Sequence, residues 1–277
     1  MSASNTALPK SLVLVGAGKM GGAMLRGWLN LGLDAKAVTV IEPMPAPDMV
    51  AFAQAKGVHF LADATGIAPP DVLVLAIKPQ GFDAAAPALQ ALISAHTVVV
   101  SIMAGKSMGS IAKQLPGAGG IVRAMPNTPA AVGRGITGAT ASMGLAEGAR
   151  LQADALLRAI GQVEWVATED DIDAVTAVSG SGPAYVFYLV ECLADAGIAA
   201  GLAPDVAERL ARATIEGSGE LLFRDAGTPA ATLRKNVTSP GGTTAAALDV
   251  LMAHDGLAPL MARAIAAAKK RAGELAG

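Results

Sequence analysis

The chain has 277 residues, 16% of them charged, with a formal net charge of -2 at pH 7. That length suits two domains of ordinary size, and so balanced a charge leaves no basic surface for nucleic acid or anionic lipid. Hydrophobic residues make up 52%, but Ala and Gly supply much of that share. Gly, Pro or charge breaks every apolar run before membrane-spanning length, so neither a transmembrane helix nor a membrane partner is expected.

Met1 to Lys10 forms a short polar tail without a charged-then-apolar export pattern, which makes the cytoplasm the expected compartment. Cys192 is the only cysteine, so neither an intrachain disulfide nor a cysteine metal cluster can form. His59, His96 and His254 lack ligand spacing, and no metal is expected. Cys192 itself lies in an apolar helical stretch, where a packed, inert thiol is the expectation.

From Ser11 to about Val166, short β-branched runs alternate with helical segments, the pattern of βαβ units around a parallel sheet. The predicted strands are Leu12–Val15, Val38–Ile41, Val58–Phe60, Val72–Ile77, Val98–Ile102 and Ile121–Arg123, then a later one around Val163–Val166. Most are continuously apolar, as strands buried on both faces should be. Beyond Thr168 the strand signal stops. Helices are predicted over Glu169–Val178, Ala184–Ala200, Asp205–Phe223, Ala230–Lys235, Thr244–Ala253 and Leu257–Glu274. The fold class is therefore α/β, with a dinucleotide-binding domain over residues 1–167 and an all-helical domain over residues 168–277. That helical half is rich in small residues and would bury little area alone. It is expected to interleave with a second copy; a monomeric bundle is the alternative.

Gly16-Ala17-Gly18-Lys19-Met20-Gly21 directly follows the first strand and opens a helix. Such a turn fits a dinucleotide: Gly16 permits the tight turn, Gly18 lets backbone approach a pyrophosphate, and Gly21 lets helix and strand pack closely. The helix N-terminus offers N–H groups to the anion. Glu42 ends the second strand, 21 positions after Gly21, where an acidic residue holds ribose hydroxyls and favours NAD over NADP. Alternatively it points to solvent from the proline-rich loop Pro43–Asp48, which contains no Lys or Arg. Ala76-Ile77-Lys78-Pro79 and Ser101-Ile102-Met103-Ala104-Gly105 close two further strands and should line the same cleft. Lys78 either contacts a ribose or substrate, or caps a strand end in solvent.

Two segments of the helical half stand out. Val178–Tyr185 reads as a helix start with serines available for capping and Pro183 in the first turn. Thr238-Ser239-Pro240-Gly241-Gly242-Thr243-Thr244 presents backbone N–H groups and hydroxyls together at a helix start, a seat for a small carboxylate.

With these segments the chain resembles the pyrroline-5-carboxylate reductases, the last enzymes of proline synthesis. The resemblance rests on GAGKMG at Gly16–Gly21, AIKP at Ala76–Pro79, RAMPNTPA at Arg123–Ala130, SGSGPAY at Ser179–Tyr185 and TSPGGTT at Thr238–Thr244, in the family's order. It implies a Rossmann-type domain followed by a helical dimerisation domain, with dimers often assembling into rings, and a site where the two domains meet. It implies NADPH or NADH along Gly16–Gly21, Ala76–Lys78 and Ala104, with Asn236 reaching the coenzyme. The carboxylate of 1-pyrroline-5-carboxylate would lie against Ser239, Gly242, Thr243 and Thr244, and Thr244 would hydrogen-bond the ring nitrogen. This chain departs from the family's pattern at Glu42, where NADP-preferring members often have serine or a basic residue. It departs again at Asp63, where some members have asparagine.

Two other readings are compatible with the glycine pattern. A 3-hydroxyacid dehydrogenase pairs the same kinds of domain but needs an acid–base residue, for which Lys235 is the candidate. A coenzyme-sensing protein would keep the fold without turnover.

Overall fold

The computed structural model describes residues 8–276; the beginning of the polar tail, residues 1–7, lies outside them. The first half alternates strand and helix: β1 (Leu12–Val15), α1 (Lys19–Asn30), β2 (Val38–Ile41), α2 (Pro47–Lys56), β3 (His59–Leu61), β4 (Val72–Leu75), α3 (Pro79–Leu89), β5 (Val98–Ser101), α4 (Met108–Gln114) and β6 (Gly120–Met125). After β6 come β7 (Gly135–Ala141), α5 (Glu147–Arg158), β8 (Gly161–Trp165) and α6 (Asp171–Val175), and a π-helical turn over Thr176–Gly180.

The eight strands form one sheet in the order β3-β2-β1-β4-β5-β6-β7-β8. Neighbours are parallel except for β6 and β7. Strand order reverses between β1 and β4, which is the switch point of a dinucleotide-binding sheet. Alternation along β1 divides the interior into two cores. Leu12 and Leu14 face Met24, Leu25 and Trp28 of α1, while Val13 and Val15 face the side covered by Phe82 and Leu89 of α3 and Ile111 of α4. With both faces covered, the strands are apolar throughout, as their sequence indicates. The Trp28 indole N–H donates to the Leu156 carbonyl at 2.8 Å, joining α1 to α5 without leaving a buried donor unpaired.

Several sequence expectations are corrected. β4 stops at Leu75 and β5 at Ser101, earlier than predicted, because Pro79 opens α3 and the chain turns at Gly105. β7 was not anticipated: GITGATA has one β-branched aliphatic residue and two glycines. Its composition is set by packing, since a Cβ on Gly138 would lie 2.5 Å from a Val175 methyl of α6. The serines do not cap the following helix. The Ser179 hydroxyl donates to the Val175 carbonyl at 3.0 Å, and no side chain caps the helix that follows.

The chain divides into two compact units, one running to Gly180 and resuming at Ala268, the other Ser181–Ala267. The second contains α7 (Gly182–Ala199), α8 (Pro204–Arg224), α9 (Ala230–Asn236), α10 (Thr243–Leu251) and the start of α11 (Leu257–Ala276). Among its described residues only Ala207 and Ala211 are buried apolar side chains. Phe187, Tyr188, Leu221 and Val250 are each more than 60% exposed in the single chain, and an open groove of about 950 Å³ runs between α7 and α8, lined by Val186, Phe187, Ile198 and Ile215 among others. A unit so poor in interior has the composition of a helical half that is completed by a second copy. Cys192, on α7, is exposed in the single chain rather than packed. No helix among the described residues is long and apolar enough to cross a membrane.

Candidate functional site

In the first unit the coenzyme candidates converge on the carboxyl edge of the sheet. The ladder continues one residue past the strands: Gly16 N–H donates to the Ile41 carbonyl (2.9 Å), Ala76 N–H to Val15 (2.8 Å) and Ile102 N–H to Leu75 (3.0 Å). The glycine turn, Ala76-Ile77-Lys78 and the loop carrying Ala104 are thereby held side by side. Lys78 is exposed at the start of α3, and Ala104 is exposed beside it on the neighbouring loop.

The three glycines have different reasons to be glycine. Gly16 has φ +94°, and a Cβ there would meet the Ala76 carbonyl oxygen at 2.7 Å; a Cβ on Gly21 would lie 2.1 Å from the Gly16 carbonyl oxygen. Both positions are dictated by packing. Gly18 is not: its φ of -65° is ordinary and a Cβ would meet nothing within 4 Å. The room in front of Gly18 opens onto the N-terminus of α1, which no side chain caps and which has no acidic residue in its first turn. An open helix start with N–H groups facing outward is the arrangement that receives a pyrophosphate, and Lys19 and Met20 follow in that first turn.

Glu42 does not swing into solvent. One carboxylate oxygen accepts the Ala17 N–H at 3.0 Å and the other the Met44 N–H at 3.2 Å, which fixes the group against the glycine turn. Asp63, after β3, is exposed and turned back on its own loop, where the Thr65 hydroxyl and backbone N–H hold its carboxyl below the usual range.

In the second unit, Asn236 ends α9 and Ser239, Gly242, Thr243 and Thr244 lead into α10. Gly241 takes φ +69°, and the Gly242 N–H donates back to the Ser239 carbonyl at 3.0 Å, closing a tight turn. Gly242 is the N-cap of α10, with no side-chain cap. The N–H groups of this start and the hydroxyls of exposed Thr243 and half-buried Thr244 stand at one helix end. Lys235, the alternative acid–base candidate, lies exposed near the end of α9.

Sequence reading assigned no role to the residues of RAMPNTPA, and the structure does. Arg123 is 3% exposed and lies 3.1 Å from Glu169 and 3.5 Å from Asp173, so it ties β6 to α6 and the loop before it. Glu169 also accepts the Met108 N–H. The Asn127 side-chain amide donates to the Ser179 carbonyl at 3.1 Å, and its oxygen accepts the Ile136 N–H at 3.0 Å. A buried arginine between acidic residues 46 and 50 positions away leaves no periodic signal; only the fold brings them together. Among the described residues no group of three or more His, Cys, Asp or Glu stands where it could hold a metal ion.

The chain's likeness to known proteins extends over almost its whole length. Residues 169–275 match the family model for pyrroline-5-carboxylate reductase dimerisation, and residues 11–105 match that of the coenzyme F420-dependent NADP oxidoreductases. The pyrroline-5-carboxylate reductase of Pseudomonas aeruginosa is 36% identical across 96% of both chains. That of Mycobacterium tuberculosis is 37% identical across 95% of this chain and 96% of its own. Among solved structures, the pyrroline-5-carboxylate reductase of Coxiella burnetii superposes with a TM-score of 0.88 at 34% identity, covering 97% of this chain and 99% of that one. The Plasmodium falciparum pyrroline carboxylate reductase with NADP bound gives 0.77 at 26% identity, over 96% and 98%. With relatives above 30% identity along nearly all of its length and a dimerisation model matched over its helical half, the chain belongs to the pyrroline-5-carboxylate reductase family.

Proposed function

We propose that the protein reduces 1-pyrroline-5-carboxylate to L-proline with NADPH or NADH, the last step of proline biosynthesis, in the cytoplasm and as a homodimer or ring of dimers. What carries this reading, in a chain of this family, is a glycine N-cap without a side-chain cap at each of two helix starts, Gly18 and Gly242. One suits a pyrophosphate and the other a small carboxylate.

Gly16, Ala17, Gly18, Lys19, Met20 and Gly21 hold the dinucleotide backbone, with Glu42 at the adenosine ribose and Ala76, Ile77, Lys78, Ala104 and Asn236 along the remainder. Ser239, Gly242, Thr243 and Thr244 receive the carboxylate, and the Thr244 hydroxyl hydrogen-bonds the ring nitrogen. The bound coenzyme supplies a hydride. A protonated cyclic imine is electrophilic at the adjacent carbon, so the chain needs no strong acid, consistent with a site built from glycine, serine and threonine. Its contribution is orientation, an effect worth several kcal/mol in general.

The direct test is incubation of purified protein with the imine and each reduced coenzyme, following coenzyme oxidation and identifying the product chromatographically. Proline formed in equal amount to coenzyme consumed is the expected result. A folded protein that binds a coenzyme but forms no proline refutes the assignment and leaves a sensing role.

A further inference from the structure

We propose that Glu42 makes this chain discriminate against the 2′-phosphate of NADP(H), so that it binds NAD(H) more tightly. The inference rests on the coenzyme reading above. It concerns which of two coenzymes is preferred, and a relative crystallised with NADP does not decide that for this chain.

Three observations carry it. The carboxylate is held in place: Ala17 N–H at 3.0 Å and Met44 N–H at 3.2 Å each use one lone-pair direction. An ionised carboxylate has about four such directions and no hydrogen to give. Those remaining suit the hydroxyl hydrogens of an unmodified ribose. A phosphate there presents acceptor oxygens and negative charge to a group that is itself an acceptor and negative.

Next, the loop that follows Glu42 offers no cation to offset that repulsion. The loop Pro43–Asp48 has neither Lys nor Arg. Arg26, across from it on α1, is engaged by Asp48 at 3.6 Å and lies over the Phe52 ring at 4.1 Å. Sites that accept a 2′-phosphate place an arginine near it, because a fork of N–H donors matches the anion's geometry. Lys19 opens α1, at the pyrophosphate end of the turn.

Finally, Glu42 cannot easily retreat. Its own N–H donates to the Leu61 carbonyl at 3.0 Å, extending the β2–β3 ladder, and its side chain supports the turn through Ala17. Withdrawing the carboxylate to admit a phosphate would leave the buried Ala17 N–H without this acceptor.

The test is titration calorimetry of the purified full chain with ADP-ribose and with 2′-phospho-ADP-ribose, which requires no turnover. ADP-ribose is expected to bind about 10- to 100-fold more tightly, with the gap narrowing as salt is raised. Glu42→Gln, which keeps an oxygen acceptor while removing the charge, is expected to bring the two affinities closer. Equal binding by the parent protein, or tighter binding of the 2′-phosphate compound, overturns the proposal and leaves the reductase reading intact. A folded protein that binds neither compound overturns both.

Discussion

Substituting Gly18 by valine separates coenzyme recognition from folding. The backbone at Gly18, φ -65° and ψ -163°, is accessible to any residue, and an added Cβ meets nothing within 4 Å. Two small stability terms oppose each other. Loss of glycine's freedom in the unfolded chain stabilises by about 0.4–1 kcal/mol, and valine is a poorer N-cap than glycine by about the same amount. The net change is therefore near zero, with a melting shift of no more than about 2–4 °C. For the coenzyme the added methyl groups fill the space through which backbone N–H groups reach a pyrophosphate. Each charge-assisted hydrogen bond lost costs about 1.5–3 kcal/mol, so affinity should fall at least about tenfold to a hundredfold at about 1.4 kcal/mol per decade. Coenzyme fluorescence titration beside a thermal melt reads both quantities. Gly21→Ala supplies the contrast: its Cβ would lie 2.1 Å from the Gly16 carbonyl oxygen, and overpacking against backbone costs about 3 kcal/mol or more. That variant should lose stability first. Unchanged coenzyme affinity in a fully folded Gly18→Val protein would refute the placement of the pyrophosphate.

Thr244→Ala should lower the turnover rate by about tenfold or more while leaving coenzyme affinity intact; weakened coenzyme binding with unaltered turnover contradicts its role at the ring nitrogen. Arg123→Met strands Glu169 and Asp173 without their buried partner and should cost about 3–5 kcal/mol in urea denaturation. A loss below about 1 kcal/mol would mean that the ion group is incidental. Asp171 accepts both the backbone N–H and the hydroxyl of Thr168, which hold its carboxyl below the ordinary 3.8. A depressed carboxylate stabilises the fold above its unfolded value and loses that contribution as pH falls through the folded value. Asp171→Asn should therefore be less stable than the parent at neutral pH, and the difference should vanish once the solution is more acidic than both values; a gap independent of pH would contradict it.

Much of the architecture was legible in the residues because local and global demands agree. The apolar runs at Leu12–Val15 and Val38–Ile41, and most of that at Val98–Ile102, became strands within the sheet, since a largely apolar run is what a two-faced burial requires. The glycine turn was equally legible, because a strand, three glycines at fixed spacing and a helix form one short-range unit. Where composition answers to a distant neighbour, the residues gave no sign. β7 gave no strand signal, Gly138 being there to admit Val175, and the Arg123 group joins elements far apart in the chain.

The residues of this chain determine by themselves that a sheet of buried strands forms, where its glycine turn lies, and that its helical half is built mainly from small residues. Each follows from periodicity, from side-chain volume or from backbone freedom, which act over a few residues. Only the tertiary structure decided that there is room in front of Gly18 whereas Gly16 and Gly21 are committed to packing. It likewise decided that Glu42 is fastened to the turn rather than turned to solvent. The identity of a residue fixes what hydrogen bonds and volumes it can offer, and the packing of segments distant in sequence decides which of those offers remain open.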